Sequence, residues 1–265
     1  MSIDRIQTQY EIPDAVDWNA TEAARLTDMD KLVQPYTQKD LIDILRTRRG
    51  ATALDVAAGP GTTVQKLCEM GGVTYVSLDI NKEILAKRTN PFNVMGSKYE
   101  LPFPDKFVDI SFSRASTAWG NDARGAIEEQ LRVTRDVAVF SEFDWSQARP
   151  GDEMPPEDAE LLVSIKDTLQ GTLASIGFEP LYGNRQLGED IREVVRSGNI
   201  ACEIEEISHH FPPNDYRAYL CKAAEGLIPY ASQEFADNVE TYRSLPTANF
   251  VIPSLITQRV TMHHS

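Results

Sequence analysis

The sequence predicts a doubly wound α/β protein: a mostly parallel, seven-stranded sheet with helices on both faces and a helical lid. Three observations carry that prediction. Short apolar runs alternate with stretches of helical periodicity from about Thr37 to Trp145. The first run, Ala53 to Ala57, opens at once into a turn holding Gly59 and Gly61, and the next run closes on an acid, Asp79. Parallel strands buried on both faces read as near-continuous apolar segments, and their crossover connections are usually helices.

Leu41, Ile42, Ile44 and Leu45 recur at helical spacing between Thr37 and Arg46, and Gly50 ends the pattern before the first strand, Ala51 to Ala57. A helix from about Thr63 to Met70 follows the glycine turn. Val73 to Ile80 reads as a strand, Lys82 to Lys87 as a helix, and Phe92 to Met95 and Val108 to Ser113 as strands. Ala123 to Val133 is a helix with Ile127 and Leu131 on one face, and Val137 to Phe143 is a fifth strand of β-branched and aromatic residues. Beyond Trp145 the rhythm changes, with a Pro-rich acidic stretch from Gln147 to Glu157. Helices over Asp158 to Ser175 and Gly188 to Ser197 precede a strand at Ala201 to Ser208. Helices at about Asp215 to Leu227 and Gln233 to Leu245 precede a last strand, Phe250 to Val260. We take residues 1–265 as one domain, with a core of about 37–145 plus returning strands at about 201–208 and 250–260. The lid comes from about 1–36, 156–198 and 214–246.

A formal charge of −14, from 26 Lys and Arg against 40 Asp and Glu, argues against a nucleic-acid partner, which would meet a repulsive surface. The short Arg46-Thr47-Arg48-Arg49 run closes a helix, where cations meet the negative end of its dipole. Cys68, Cys202 and Cys221 are odd in number and lack ligand spacing, so neither a disulfide framework nor a metal site is expected. Met1 to Pro13 is polar and acidic, and no apolar run reaches about 18 residues, so membrane insertion is not expected and a cytoplasmic protein is.

The chemistry gathers at Leu54-Asp55-Val56-Ala57-Ala58-Gly59-Pro60-Gly61-Thr62-Thr63. Small residues at 57, 59 and 61 let backbone approach a ligand, and Asp79 ends the second strand where doubly wound folds place a carboxylate on ribose hydroxyls. The G-x-G-x-x-G fingerprint of NAD-binding turns is not satisfied. These segments, with Val76 to Ile80 and with Gly96 to Phe103 running into Pro104-Asp105-Lys106-Phe107-Val108-Asp109, resemble class I S-adenosylmethionine (SAM) dependent methyltransferases of the ubiquinone-biosynthesis-like, small-molecule branch. The resemblance implies a Rossmann-like core with SAM as cofactor. It lays Ala57, Ala58, Gly59 and Gly61 under the methionine part, Asp55 at its amino end, and Asp79 with Ile80 at the ribose. Ser97, Lys98 and Tyr99 would line the adenine, Ser113 would flank the site, and Tyr36 would close over it.

Departures from the family pattern bear on catalysis. Ala57 stands at the first motif glycine and Ser97 at the usual adenine carboxylate, while Ala118-Trp119 replaces paired histidines after the fourth strand. In-line methyl transfer draws much of its rate from alignment and water exclusion, and a base near neutral pKa helps an alcohol or phenol acceptor. Candidates are His209 and His210, after the strand ending at Ser208, and Glu142 at the end of the fifth strand. Asp144 could orient an amine, and Trp119 and Trp145 could wall an aromatic substrate. The leading expectation is methyl transfer to oxygen or nitrogen of a small-molecule acceptor, secondary metabolites included. A SAM-binding protein with a non-methylating reaction such as a cyclisation, and a non-catalytic regulatory subunit, stand as alternatives, and oligomeric state is unreadable.

Overall fold

A 27-residue helix, α1 (Ala20–Arg46), leads into β1 (Thr52–Val56), and the strand-helix alternation then follows. It runs α2 (Thr63–Gly71), β2 (Thr74–Asp79), α3 (Lys82–Ala86), β3 (Asn93–Met95), β4 (Val108–Arg114), α4 (Ala123–Val133) and β5 (Thr134–Asp144). The computed structural model describes residues 20–120, 122–144, 149–150, 154–175, 185–210, 213–228, 231–245, 250–251 and 254–263. After β5 come β6 (Arg149–Pro150), α5 (Pro156–Ser175), α6 (Arg185–Ser197), β7 (Cys202–His210), α7 (Pro213–Glu225), α8 (Gln233–Ser244), β8 (Phe250–Val251) and β9 (Ser254–Met262).

Seven strands form the main sheet in the order β3-β2-β1-β4-β5-β9-β7. Neighbours from β3 to β5 pair in parallel, whereas β9 lies antiparallel to both β5 and β7. The doubly wound, mostly parallel seven-stranded sheet read from the alternation is the observed one.

Two boundaries differ most. The Phe250 to Val260 run is divided: β8 pairs with β6 in a separate two-stranded sheet, and β9 starts at Ser254. Pro253 falls between them in sequence and has no N–H to give a ladder. The helix expected from Thr37 begins at Ala20 and runs through Pro35. A proline inside a helix loses one hydrogen bond, and close by the Thr37 hydroxyl donates to the Val33 carbonyl at 3.2 Å.

Leu41, Ile44 and Leu45 of α1, with Val64, Leu67 and Cys68 of α2, pack on Ala53, Ile110, Val137 and Val139 of the sheet. A second cluster joins Ile127 and Leu131 of α4 and Leu187, Ile191 and Val194 of α6 to Ala138, Phe140 and Val260. That cluster continues without a break into α5, α7 and α8, and reaches back to Val33 and Tyr36 of α1. Among the described residues no helix is long and apolar enough to cross a membrane. The layers leave the loops after β1, β2, β3 and β4 together at the carboxyl edge of the sheet, the usual place for ligands in open α/β folds.

Candidate active site

β1 is buried as far as Val56, and the chain then turns through two left-handed residues, Ala57 at φ 54° and Gly59 at φ 55°. The turn is fastened on several sides. Ala58 N–H donates to the Leu78 carbonyl at 2.9 Å. Asp79 accepts from Gly59 N–H at 2.8 Å with one carboxylate oxygen and from Asn81 N–H at 2.9 Å with the other. Burial pushes the Asp79 carboxyl up, against those backbone donors. Arg88 donates to the Ala58 and Gly59 carbonyls and to the Tyr75 hydroxyl, which donates to Asp55 at 2.7 Å. Burial raises the Asp55 carboxyl too, opposed chiefly by the Arg88 guanidinium. Sequence reading missed Arg88 and Tyr75. The available signal was that a tyrosine on β2, in register with Ala53, neighbours Asp55 across the parallel pair.

α1 closes on the same turn. Asp30, 7% exposed, accepts from Thr62 N–H and Thr63 N–H, each at 3.2 Å, and from the Thr63 hydroxyl at 2.7 Å. Its other oxygen is ion-paired with Arg114 at the end of β4, and Arg114 also donates to the Thr37 hydroxyl at 2.6 Å. Burial raises the Asp30 carboxyl, but Arg114 and Thr63 outweigh it and hold the group below the usual carboxylate range. At Gly61 a Cβ would lie 2.8 Å from the Asp30 carboxyl carbon, so only glycine admits this approach.

A cleft opens between α1 and the ends of β1, β4 and β5. Among its lining are the expected cofactor residues Asp55, Ala57, Ala58, Gly61 and Ser113. α1 adds Asp30, Thr37 and Asp40, and β4 adds Arg114. The Ser113 hydroxyl, on a residue 4% exposed, has no hydrogen-bond partner, an orphaned polar atom of the kind a ligand would satisfy. Asp79, outside the cleft's lining, accepts backbone donors on both oxygens. The lining residues fit the amino-acid part of SAM.

The other expected residues form a second group around the loop after β4. Lys98 Nζ donates to the Ser116 and Trp119 carbonyls, and the Tyr99 hydroxyl donates to the Trp119 carbonyl at 2.8 Å. Glu142 accepts from Ser116, Thr117 and Ala118 N–H at 2.9, 2.6 and 3.4 Å. Burial drives the Lys98 amine down to about 8 and pushes the Glu142 carboxyl up. Ser97 is buried and accepts from Tyr99 N–H at 3.2 Å. The polar ends of Lys98, Tyr99 and Glu142 are thus engaged in fixing residues 116–119. Trp119 is half-buried against the large core cluster, Asp144 is buried at the end of β5, Ile80 is half-buried after Asp79, and Trp145 lies outside the described residues.

His209 bonds through Nε2 to Asp40, whose other oxygen accepts from the Thr257 hydroxyl at 2.7 Å. Thr257 in turn meets the Ser141 hydroxyl at 2.9 Å, and the Tyr36 ring stands 5.7 Å from the imidazole. Asp40 and Ser141 line the cleft, so His209 reaches it through Asp40. His210 ends β7 opposite Ser254, and its side chain lies outside the described residues. Asp40 was missed because its partners lie far along the chain, on β7 and β9.

Residues 54–140 match the family described as Methyltransferase domain. The chain is similar to the demethylmenaquinone methyltransferase of Beutenbergia cavernae, 36% identical over 130 residues that cover 44% of this chain and 51% of that protein. It is also similar in fold to a geranyl diphosphate methyltransferase solved in complex with SAM, at TM-score 0.52 and 12% identity, covering 96% of this chain and 98% of that one. The [4+2]-cyclase SpnF has TM-score 0.52 and 17% identity over 84% of this chain and 82% of its own. The chain spans about half or less of the length of the curated relatives it matches.

Proposed function

We propose that the chain, which matches the Methyltransferase domain family over residues 54–140, is a class I SAM-dependent methyltransferase that transfers the methyl group of SAM to an oxygen or nitrogen of a small-molecule acceptor. The observation that carries the reading is the cleft in which Asp55, the glycine turn and the unpartnered Ser113 hydroxyl face one volume at the ends of β1 and β4. SAM supplies an electrophilic methyl group on a sulfonium. The chain's own part is to bind, align and exclude water, which accounts for much of the acceleration of an in-line displacement.

In this reading Asp55 receives the cofactor's amino end, Gly59 and Gly61 pass beneath the methionine part, and Asp79 takes the ribose. Glu142 and Lys98 hold the loop at 116–119 as a fixed wall, a positioning role, and Asp144 with the Trp119 neighbourhood faces the acceptor. The proton freed from an O–H or N–H acceptor passes to Asp40 at the cleft wall and on to His209, whose side chain is 11% exposed. The helices α5, α7 and α8 act as cover.

The test is calorimetric titration with SAM and S-adenosylhomocysteine, then mass spectrometry of reactions with panels of phenols, carboxylic acids and amines. A gain of about 14 Da on a panel member with S-adenosylhomocysteine formed supports the proposal. Bound SAM that yields no S-adenosylhomocysteine with any acceptor would favour a non-methylating or regulatory role. Failure to bind either compound would sink the cofactor assignment.

A further inference from the structure

We propose that the Asp30–Arg114 ion pair is the receptor for an α-amino-acid zwitterion, the amino-acid end of the cofactor, with Arg114 taking the ligand carboxylate and Asp30 sharing the ligand ammonium with Asp55. This rests on the SAM reading above and names two residues that the motif does not.

The two oxygens of Asp30 have separate tasks. One is held by three donors at the start of α2, namely Thr62 N–H, Thr63 N–H and the Thr63 hydroxyl. The other faces Arg114. A helix N-terminus draws anions, but here an internal carboxylate already fills it, which leaves the guanidinium as the cation open to a ligand carboxylate. Thr37 steadies that guanidinium from α1, and it remains 24% exposed beside the cleft. Asp55 and the orphaned Ser113 hydroxyl line the same volume.

Insertion of a zwitterion is balanced in charge. The internal pair opens, the ligand ammonium meets the freed Asp30 oxygen with Asp55 close by, and the ligand carboxylate meets Arg114 through the two-pronged geometry a guanidinium offers. One ion pair becomes two, and Asp30 keeps all three of its donors on α2. Gly61 is required because Asp30 could not lie so close to a side chain at that position.

The experiment is calorimetric titration of the full chain with three probes that share a nucleoside. S-adenosylhomocysteine carries the whole amino-acid end, its aminopropyl analogue lacks only the carboxylate, and 5′-methylthioadenosine lacks both charges. Arg114→Met is expected to weaken S-adenosylhomocysteine about tenfold or more, to leave the aminopropyl analogue bound at least as well because Asp30 is then free of its internal partner, and to change 5′-methylthioadenosine less than twofold. Asp30→Asn is expected to weaken S-adenosylhomocysteine and the aminopropyl analogue and to spare 5′-methylthioadenosine, whose retained binding also reports an intact turn. The inference is overturned if Arg114→Met leaves S-adenosylhomocysteine within twofold of the parent, or weakens 5′-methylthioadenosine equally. If the parent protein binds none of the three, the cofactor reading fails and takes this inference with it. If it binds all three alike, only this inference fails.

Discussion

Replacing Ala57 by glycine tests the strain at the glycine turn. Ala57 sits at φ 54°, where its Cβ crowds the following carbonyl, a conformation that costs an L-residue about 1–2 kcal/mol. Glycine removes that cost but enlarges the entropy of the unfolded chain, which takes back about 0.4–1 kcal/mol. The difference predicts a gain of about 0.5–1 kcal/mol, or roughly 1–4 °C in Tm at the 2–4 °C per kcal/mol expected for a chain of this size. Urea unfolding is the assay, with a raised midpoint at unchanged slope as the expected result. Two neighbours calibrate it. Ala115, at φ 49°, should respond to glycine with the same sign. Ala53, fully buried inside β1, should respond with the opposite sign because it loses a packed methyl in a relaxed conformation. A midpoint for Ala57→Gly at or below the parent's, with Ala53→Gly behaving as expected, would refute the strain argument.

Lys98 makes a pH prediction. Its folded amine titrates near 8 against 10.5 for the free side chain, so above about pH 8 the unfolded chain binds a proton that the folded chain does not. Stability from this residue therefore rises with pH, by up to about 3 kcal/mol across the window. Lys98→Met should flatten that rise in urea titrations at about pH 7 and pH 9.5, and parallel curves for the two proteins would contradict it. Tyr75→Phe removes the hydroxyl between Arg88 and Asp55 and should destabilise by about 1–3 kcal/mol. It should also lift the Asp55 carboxyl further. Because a raised carboxyl contributes stability below its unfolded pKa and loses it as pH climbs through the folded one, the variant's loss should extend to higher pH, and an unchanged pH profile would count against the relay. Glu142→Ala strands three buried N–H groups and should cost at least about 2 kcal/mol. Hydrogen exchange at 116–118 should quicken, while Glu142→Gln, which keeps an accepting oxygen, should do less damage. Equal exchange in all three proteins would remove Glu142 as the anchor.

What the sequence made legible is local. The helix Ala123–Val133 was placed at its observed limits from Ile127 and Leu131 recurring at helical spacing, and the structure adds that Asp122 caps its start by accepting from Gly125 N–H. β1, its glycine turn and Asp79 were equally plain, since burial on both faces and the turn leave their mark within ten residues. What stayed hidden is pairing at a distance. Asp30 and Asp40 look like two ordinary acids of an acidic chain until α1 lays one on α2 and the other against β7 and β9. The helix was expected only from Thr37, yet α1 runs back through Pro35, with Val33 and Tyr36 on either side of it packed into the large core cluster. Lys98 and Tyr99 read as cofactor contacts by resemblance, yet their polar ends go to a loop whose course no motif encodes.

The place of β9 has a consequence for biosynthesis. Although it follows both β5 and β7 in sequence, β9 lies between them and pairs along its length with each. Until residue 262 has left the ribosome, β5 presents an open edge and β7 has no neighbour in the main sheet. At a synthesis rate of about 5–20 residues per second the interval from Asp144 to that point lasts roughly 6–24 seconds. Through that interval the nascent chain carries an unpaired strand rim to which other chains can anneal. Translation speed and chaperone supply, more than the finished protein's stability, should therefore set how much of it is recovered undamaged from a cell.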